Sequence, residues 1–326
     1  MRYVIFGAGA IGGGIGGLMA EAQRDVTLIA RGPHLEALRS HGLRLRSLVA
    51  DRTVTVRAEA GVREAGIGPG DVVLLTTKSQ DTPAALAALA RFAHPDINVV
   101  CAQNGVDNER QAQRAFARVY GLSVVMPATH VVPGEVCLDA EGYPGVLDLG
   151  RYPSGTDATA EAIAEDLRAS GFASAAHPAI MSRKYRKLLL NLGNVLDAAV
   201  VPSPRIAEIH ATASEEALEV FAAAGIEVGS TEEDAKRRQG MRIQRVRPGE
   251  QAGSSTWQSL ARGAPSLETD YLNGEVVLVA RLHGRRAPVN EVLWRLGHRV
   301  VSEGIAPRSL DAEGVAAEVA AAQAAA

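Results

Sequence analysis

At 326 residues, with 47% hydrophobic and 22% charged content, the chain has the composition of a globular protein long enough for two cores. A formal net charge of −3 removes any electrostatic argument for a nucleic-acid or anionic-membrane partner. Two cysteines, Cys101 and Cys137, have neither metal-ligand spacing nor the count of a disulfide framework, so a reducing, cytoplasmic location without a bound metal is expected.

The glycine-rich start up to Ala20 is a poor apolar segment for a secretion signal, and a second strand-like run follows it at once. No uncharged apolar stretch approaches the ~20 residues of a membrane span. In chain order, residues 2–6 read as a buried strand, 12–23 as a helix, 26–30 as a strand and 34–41 as a short helix. Residues 54–58 alternate like a strand, 71–76 form a buried strand, and 82–91 a helix. Residues 98–102 and 108–117 add one more strand and helix. Continuous apolar strands alternating with helices predict a Rossmann-type, doubly wound parallel sheet in an α/β domain.

Between 120 and 150, short β runs separated by Pro133-Gly134 and Glu141-Gly142 predict antiparallel strands extending that sheet. A helix at 158–170 and a strand at 172–176 complete a first domain, 1–179. After Pro178 strands nearly vanish. Helical patterns at 181–196, 206–224, 232–246, 267–282 and 289–301 predict an all-helical C-terminal domain, 180–326. The helix at 267–282 could pack within that domain or against a second subunit, which leaves a homodimer open. The alanine-rich tail after Val315 reads as a fraying terminal helix.

Gly7-Ala8-Gly9-Ala10-Ile11-Gly12 is a G-x-G-x-x-G that follows a strand and opens a helix, the context in which the pattern means dinucleotide binding. Gly7 permits the turn, Gly9 lets backbone approach the pyrophosphate, and Gly12 lets the helix pack on the sheet. The second strand ends at Leu28-Ile-Ala-Arg31 without the acid that holds an NAD ribose. The rigid, permanently charged guanidinium of Arg31 suits a 2′-phosphate, so NADP(H) is the expected cofactor. Lys78 and Asn104 follow two further strand ends, where ligands of open parallel sheets bind.

Lys187, Asn191 and Asn194 are spaced i, i+4, i+7 among leucines, which places one ammonium and two carboxamides on one helical face. Asparagine is a weak helix former and an unusual choice for a solvated face, so a binding site is favoured. Ser254-Ser255 and the segment Glu268-Thr-Asp-Tyr-Leu-Asn-Gly274 follow. Glu268 and Asp270 fit a helix N-terminus as well as a site, and the residues alone leave both readings open.

In order and spacing this set resembles the ketopantoate reductase (2-dehydropantoate 2-reductase) family over nearly the whole chain. The resemblance rests on the glycine turn, Arg31, Lys78, Gln103-Asn104-Gly105, the aromatic-x-Lys-Leu-x-x-Asn at 185–191, Ser254-Ser255 and Glu268-x-Asp-Tyr-x-Asn-Gly274. It implies an NADP-dependent oxidoreductase of pantothenate biosynthesis acting on a small 2-oxo acid. Lys187 would be the general acid, and Asn191 and Ser255 would hold substrate. Asn104 would lie between nicotinamide and substrate, Lys78 on the cofactor, and Glu268 on the cofactor or positioning Lys187. Three positions depart from the family pattern. Val195 stands eight residues after Lys187, where the family has a second Asn, with Asn194 one position early. Gln258-Ser259 replaces a Gln-Asp, and one residue is inserted between Ser255 and Glu268. These departures fall near the substrate, so a reductase of a different 2-oxo acid is the alternative. A non-catalytic NADP(H) sensor would predict a disrupted Lys187–Asn191 pair, which this chain does not have.

Overall fold

The computed structural model describes residues 1–247 and 253–325. The chain runs β1 (Arg2–Phe6), α1 (Ala10–Glu21), β2 (Asp25–Ile29), α2 (Gly32–His41), β3 (Leu43–Arg46), β4 (Asp51–Val54), β5 (Arg57–Glu59), α3 (Val62–Ala65), β6 (Val72–Leu75), α4 (Thr82–Phe92), β7 (Asn98–Cys101) and α5 (Asn108–Gln113). It continues through β8 (Arg118–Val125), β9 (Ala128–Thr129), β10 (Glu135–Leu138), β11 (Ala140–Gly142), β12 (Val146–Arg151), α6 (Ala158–Ala169), α7 (Ile180–Asn191), α8 (Asn194–Ala199) and α9 (Pro204–Ala223). The rest comprises α10 (Thr231–Arg237), β13 (Met241–Ile243), α11 (Ser255–Ala261), α12 (Asn273–Leu282), α13 (Pro288–Ser302) and α14 (Ala312–Ala324). Two compact units divide it: Met1–Gln103, Asn108–Lys184 and Thr231–Gly249 form the first, and Asn104–Asp107, Tyr185–Ser230 and Glu250–Ala326 the second.

The first unit is built on a seven-stranded sheet of order β12-β8-β7-β6-β1-β2-β5, parallel except where β12 pairs antiparallel with β8. This is the Rossmann-type sheet expected from the apolar runs: every residue of β6 and β7 is buried. The registers Phe6↔Ile29, Phe6↔Leu75 and Leu75↔Cys101 bring the carboxyl ends of β1, β2, β6 and β7 to one edge. The expected strand at 54–58 is two short ones, β4 and β5, which belong to different sheets.

A helix expected at 232–246 is instead α10 followed by β13, which pairs antiparallel with β11 in the first unit. Charge explains the departure. Arg237, Arg242, Arg245 and Arg247 meet Asp148, Glu141, Asp139 and Glu135 in reverse order along the chain. Three of those carboxylates are nearly buried and need a cation beside them, which a helix here could not supply in that order. Gly142 admits the close approach, since a Cβ there would lie 1.9 Å from the Gly240 carbonyl oxygen.

The second unit is helical among its described residues. Its core gathers Val195, Leu196, Ile209, Leu293, Leu296 and Val315 from α8, α9, α13 and α14. Ser203 caps α9 and Asp311 caps α14. No helix among the described residues is long and apolar enough to cross a membrane.

Candidate active site

The glycine turn closes over the end of β1. Gly7 has φ +112°, and a Cβ there would sit 2.9 Å from the Thr77 nitrogen. A Cβ on Gly12 would come 2.2 Å from the Gly7 oxygen and 2.4 Å from Thr76 Oγ1, so only glycine lets α1 begin here. Thr76 Oγ1 donates to the carbonyls of Phe6 and Gly7 at 3.1 and 2.8 Å, and the N–H groups of Gly7 and Ala8 donate to the Ile29 carbonyl. Gly9 differs from its neighbours. A Cβ there meets nothing within 4 Å, so the start of α1, with Ala10 and Ile11 in its first turn, faces open space. The Thr77 hydroxyl oxygen is buried with no hydrogen-bond partner. An open helix N-terminus beside an unsatisfied hydroxyl fits the pyrophosphate of a dinucleotide.

Arg31 caps the start of α2, is exposed, and makes no ion pair or side-chain hydrogen bond among the described residues. Its guanidinium is therefore available to an anion at the end of β2. Half-buried Lys78 follows β6 by the same edge. After β7, Gln103 is held in a buried network: its Nε2 donates to Thr82 Oγ1 (2.9 Å), which donates to Asn108 Oδ1 (2.8 Å). Gln103 thus shapes the strand end.

Asn104 and Gly105 belong to the second unit. Gly105 has φ +79°, and a Cβ there would lie 2.8 Å from the Tyr271 carbonyl oxygen, so the Asn104 turn packs tightly against the 3₁₀ turn Glu268–Tyr271. Asn104 and Glu268, far apart in sequence, are brought to neighbouring backbone.

Lys187 and Asn191 share one face of α7. Lys187 is half-buried. Asn191 is only 8% exposed, and its carboxamide nitrogen has no partner. Asn194 is not on the same helix, because the expected helix 181–196 breaks at Leu192-Gly193 and restarts as α8. A side chain at Gly193 would strike the His210 ring, 2.9 Å away. Carbonyls near the break are taken by side chains: His210 Nε2 lies 2.8 Å from the Leu189 oxygen, Asn273 Nδ2 donates to Leu192 (3.1 Å), and Ser254 Oγ donates to Asn194 (3.2 Å).

The last bond joins Asn194 to the serine pair. Ser254 caps α11, and its N–H donates to Asp197 Oδ2 at 2.5 Å, leaving Ser255 half-buried at the first helical position. Glu268 is buried, at 4% exposure. Asp270 is exposed and accepts from Trp294 Nε1 (2.6 Å), with His298 Nε2 at 2.7 Å. It ties the turn to α13. Asn273 is also structural, bonded to Asn290 beside the α7–α8 break.

Sequence reasoning missed Lys184, whose ammonium pairs with Glu109 and donates to the Gln103 carbonyl at 3.2 Å, all inside the first unit. A signal existed: Ile180, Lys184 and Leu188 are spaced i, i+4, i+8 and all three are buried. His34, which contacts the Ala8 carbonyl, carried no signal at all.

Residues 3–154 match the family model described as ketopantoate reductase PanE/ApbA, and residues 179–301 match that described as ketopantoate reductase PanE/ApbA C terminal. The chain is similar to the 2-dehydropantoate 2-reductase of Archaeoglobus fulgidus, 31% identical over 310 residues covering 92% of this chain and 98% of the relative. It is also similar to that of Pyrococcus horikoshii, 29% identical over 304 residues (91% and 96%). Among solved structures it resembles a PanE/ApbA family ketopantoate reductase from Ralstonia eutropha, with 28% identity, a TM-score of 0.77, and coverage of 93% of this chain and 99% of the other. The two family models in tandem, and relatives matched along almost their whole length, show that the chain belongs to the ketopantoate reductase family of oxidoreductases.

Proposed function

We propose that the protein reduces 2-dehydropantoate to pantoate with NADPH, residues 1–179 serving the dinucleotide and residues 180–326 the 2-oxo acid. The observation that carries this reading is on α7. Lys187 stands one helical turn before Asn191, whose amide nitrogen is buried without a partner among the described residues. A buried amide donor left unpaired costs stability, which a ligand oxygen would recover.

When bound, the reduced dinucleotide supplies hydride to the 2-oxo carbon. Negative charge then develops on the oxygen of that carbon, where Lys187, as general acid, stabilises it and delivers the proton. Asn191 and Ser255 orient the substrate's carboxylate and hydroxyl by donors that add no further charge, and Asn194 is assigned beside Ser255. Asn104 is assigned to the contact of nicotinamide with substrate, Glu268 to positioning Lys187 or touching the cofactor, and Lys78 to the cofactor. Gly7 to Gly12 cradle the pyrophosphate, and Arg31 selects the 2′-phosphate.

One observation favours a second reading, a different 2-oxo acid. Val195 is 2% exposed and packed in the apolar core of the second unit, so the position eight residues after Lys187 offers no hydrogen bond. Steady-state kinetics over a panel of 2-oxo acids tests both. The highest kcat/KM for 2-dehydropantoate supports the first, and a much higher value for another acid overturns it. Retention of the full rate by Lys187→Ala would remove the general-acid assignment.

A further inference from the structure

His34 uses both ring nitrogens, and its partners settle which one carries the proton. Nε2 lies 2.8 Å from the carbonyl oxygen of Ala8, inside the glycine turn. Nδ1 lies 2.8 Å from the backbone N–H of Gly134, one hundred residues further along. A carbonyl can only accept and a backbone N–H can only donate, so the ring is neutral, with its hydrogen on Nε2. The ring packs at 4.3 Å between centroids on His130, whose Nδ1 is 2.9 Å from the Glu135 oxygen. Gly134 itself is seated on α2: its φ is +78°, and a Cβ there would touch the Ala37 Cβ at 2.9 Å.

His34 is three residues after Arg31 in the first turn of α2. Its hydrogen bond to Ala8 therefore spans the two parts of the dinucleotide site, the glycine turn and the start of α2. It also occupies the Ala8 carbonyl oxygen, an acceptor inside the glycine turn.

We infer that His34 is a positioning residue of the dinucleotide site, a neutral brace that holds the Arg31-bearing start of α2 in register with the glycine turn, so that pyrophosphate and 2′-phosphate are engaged together. The inference rests on the NADPH reading of that site. It needs no movement and no titration. Because the Ala8 carbonyl bond does the holding, a side chain that keeps only that donor retains the function.

Fluorescence titration of the purified full chain with NADPH, and in parallel with NADH, tests it alongside thermal unfolding of each variant. His34→Gln places a carboxamide donor near the Nε2 position, whereas His34→Asn keeps an acceptor for Gly134 and cannot reach Ala8. Loss of one such bond predicts a roughly tenfold weaker Kd for NADPH in His34→Ala and His34→Asn, with a smaller loss for NADH. His34→Gln should stay within about threefold of the unmodified protein. Unchanged affinity in both His34→Ala and His34→Asn overturns the brace. So does an equal loss in all three variants that tracks their loss of Tm. If the unmodified protein binds NADH as tightly as NADPH, the NADPH reading fails by itself. The brace is then judged on NADH, where losses in His34→Ala and His34→Asn with rescue by His34→Gln support it and any other pattern overturns it.

Discussion

The ammonium of Lys184 and the carboxylate of Glu109 form an ion pair with almost no exposure to solvent, 3% and 0%. Lys184 reaches it from the amino-terminal half of α7 and also donates to the Gln103 carbonyl, so the pair locks the strand end that leads to Asn104. Removing Lys184 takes the ammonium away from a fully buried carboxylate. Lys184→Met should therefore destabilise the protein by about 3–5 kcal/mol, and Lys184→Met with Glu109→Met should recover most of that. Denaturant unfolding of the three proteins checks this, and equal losses in single and double variants would contradict it.

Gly9 and Gly12 are predicted to fail differently. Gly9→Ala puts a methyl group into open space, so the fold should keep its Tm while dinucleotide affinity falls by more than about tenfold, because the methyl occupies the phosphate approach. Gly12→Ala drives a Cβ against backbone at 2.2 Å and should lower Tm as well as binding. Thermal melts with and without NADPH separate the two, and equal Tm losses would refute the contrast.

Arg31 is exposed and has no side-chain partner to lose among the described residues, so Arg31→Ala should leave stability within about 0.5 kcal/mol. Its KM for NADPH should rise roughly 10- to 100-fold, with little change for NADH. Equal effects on the two cofactors would count against the 2′-phosphate role.

Asn191 offers a similar test on the substrate side. Its amide nitrogen bonds nothing among the described residues, so Asn191→Ala removes a donor left for a ligand. The KM for the preferred 2-oxo acid should rise about tenfold or more, with KM for NADPH nearly constant. A rise confined to the NADPH term would move Asn191 to the cofactor.

Two histidines make stability depend on pH. Burial, with the neighbouring His130, holds His34 below the ordinary histidine value of 6.5; burial, with Arg183 opposed by Asp148 and Glu233, does the same for His177. Each is harder to protonate folded than unfolded, so the unfolded chain binds more protons below 6.5. Stability is full above that value, declines as pH falls through the window beneath it, and levels off once the folded rings titrate. The carboxylates held low by arginine, such as Glu21 by Arg52, act only at more acidic pH. Tm should therefore fall between about pH 7 and pH 5, and the double variant His34→Gln with His177→Gln should flatten the slope. A flat Tm for the unmodified protein in that range would refute the assignment.

The Rossmann sheet was legible because its strands are continuous apolar runs, and the glycine turn because position after a strand gives the pattern its meaning. The helix expected at 232–246 holds only as far as Arg237, because the partners of the arginines that follow, Glu141 to Glu135, lie about a hundred residues away. The break in α7 was hidden for a related reason: the carbonyls it frees are satisfied by His210, Asn273 and Ser254, none of them local.

By itself, the sequence determined the sheet, the cradle, the absence of an acid at the end of β2, and the Lys187–Asn191 pair, all of which follow from spacing within one element. Only the tertiary structure decided that Lys184 is consumed in a buried ion pair with Glu109. It also decided that Asn194 starts a new helix, and that His34 reaches back to Ala8. Each depends on what a side chain meets across the fold, and the energy of burying a charge or a polar group is set by that distant partner rather than by its neighbours in the chain.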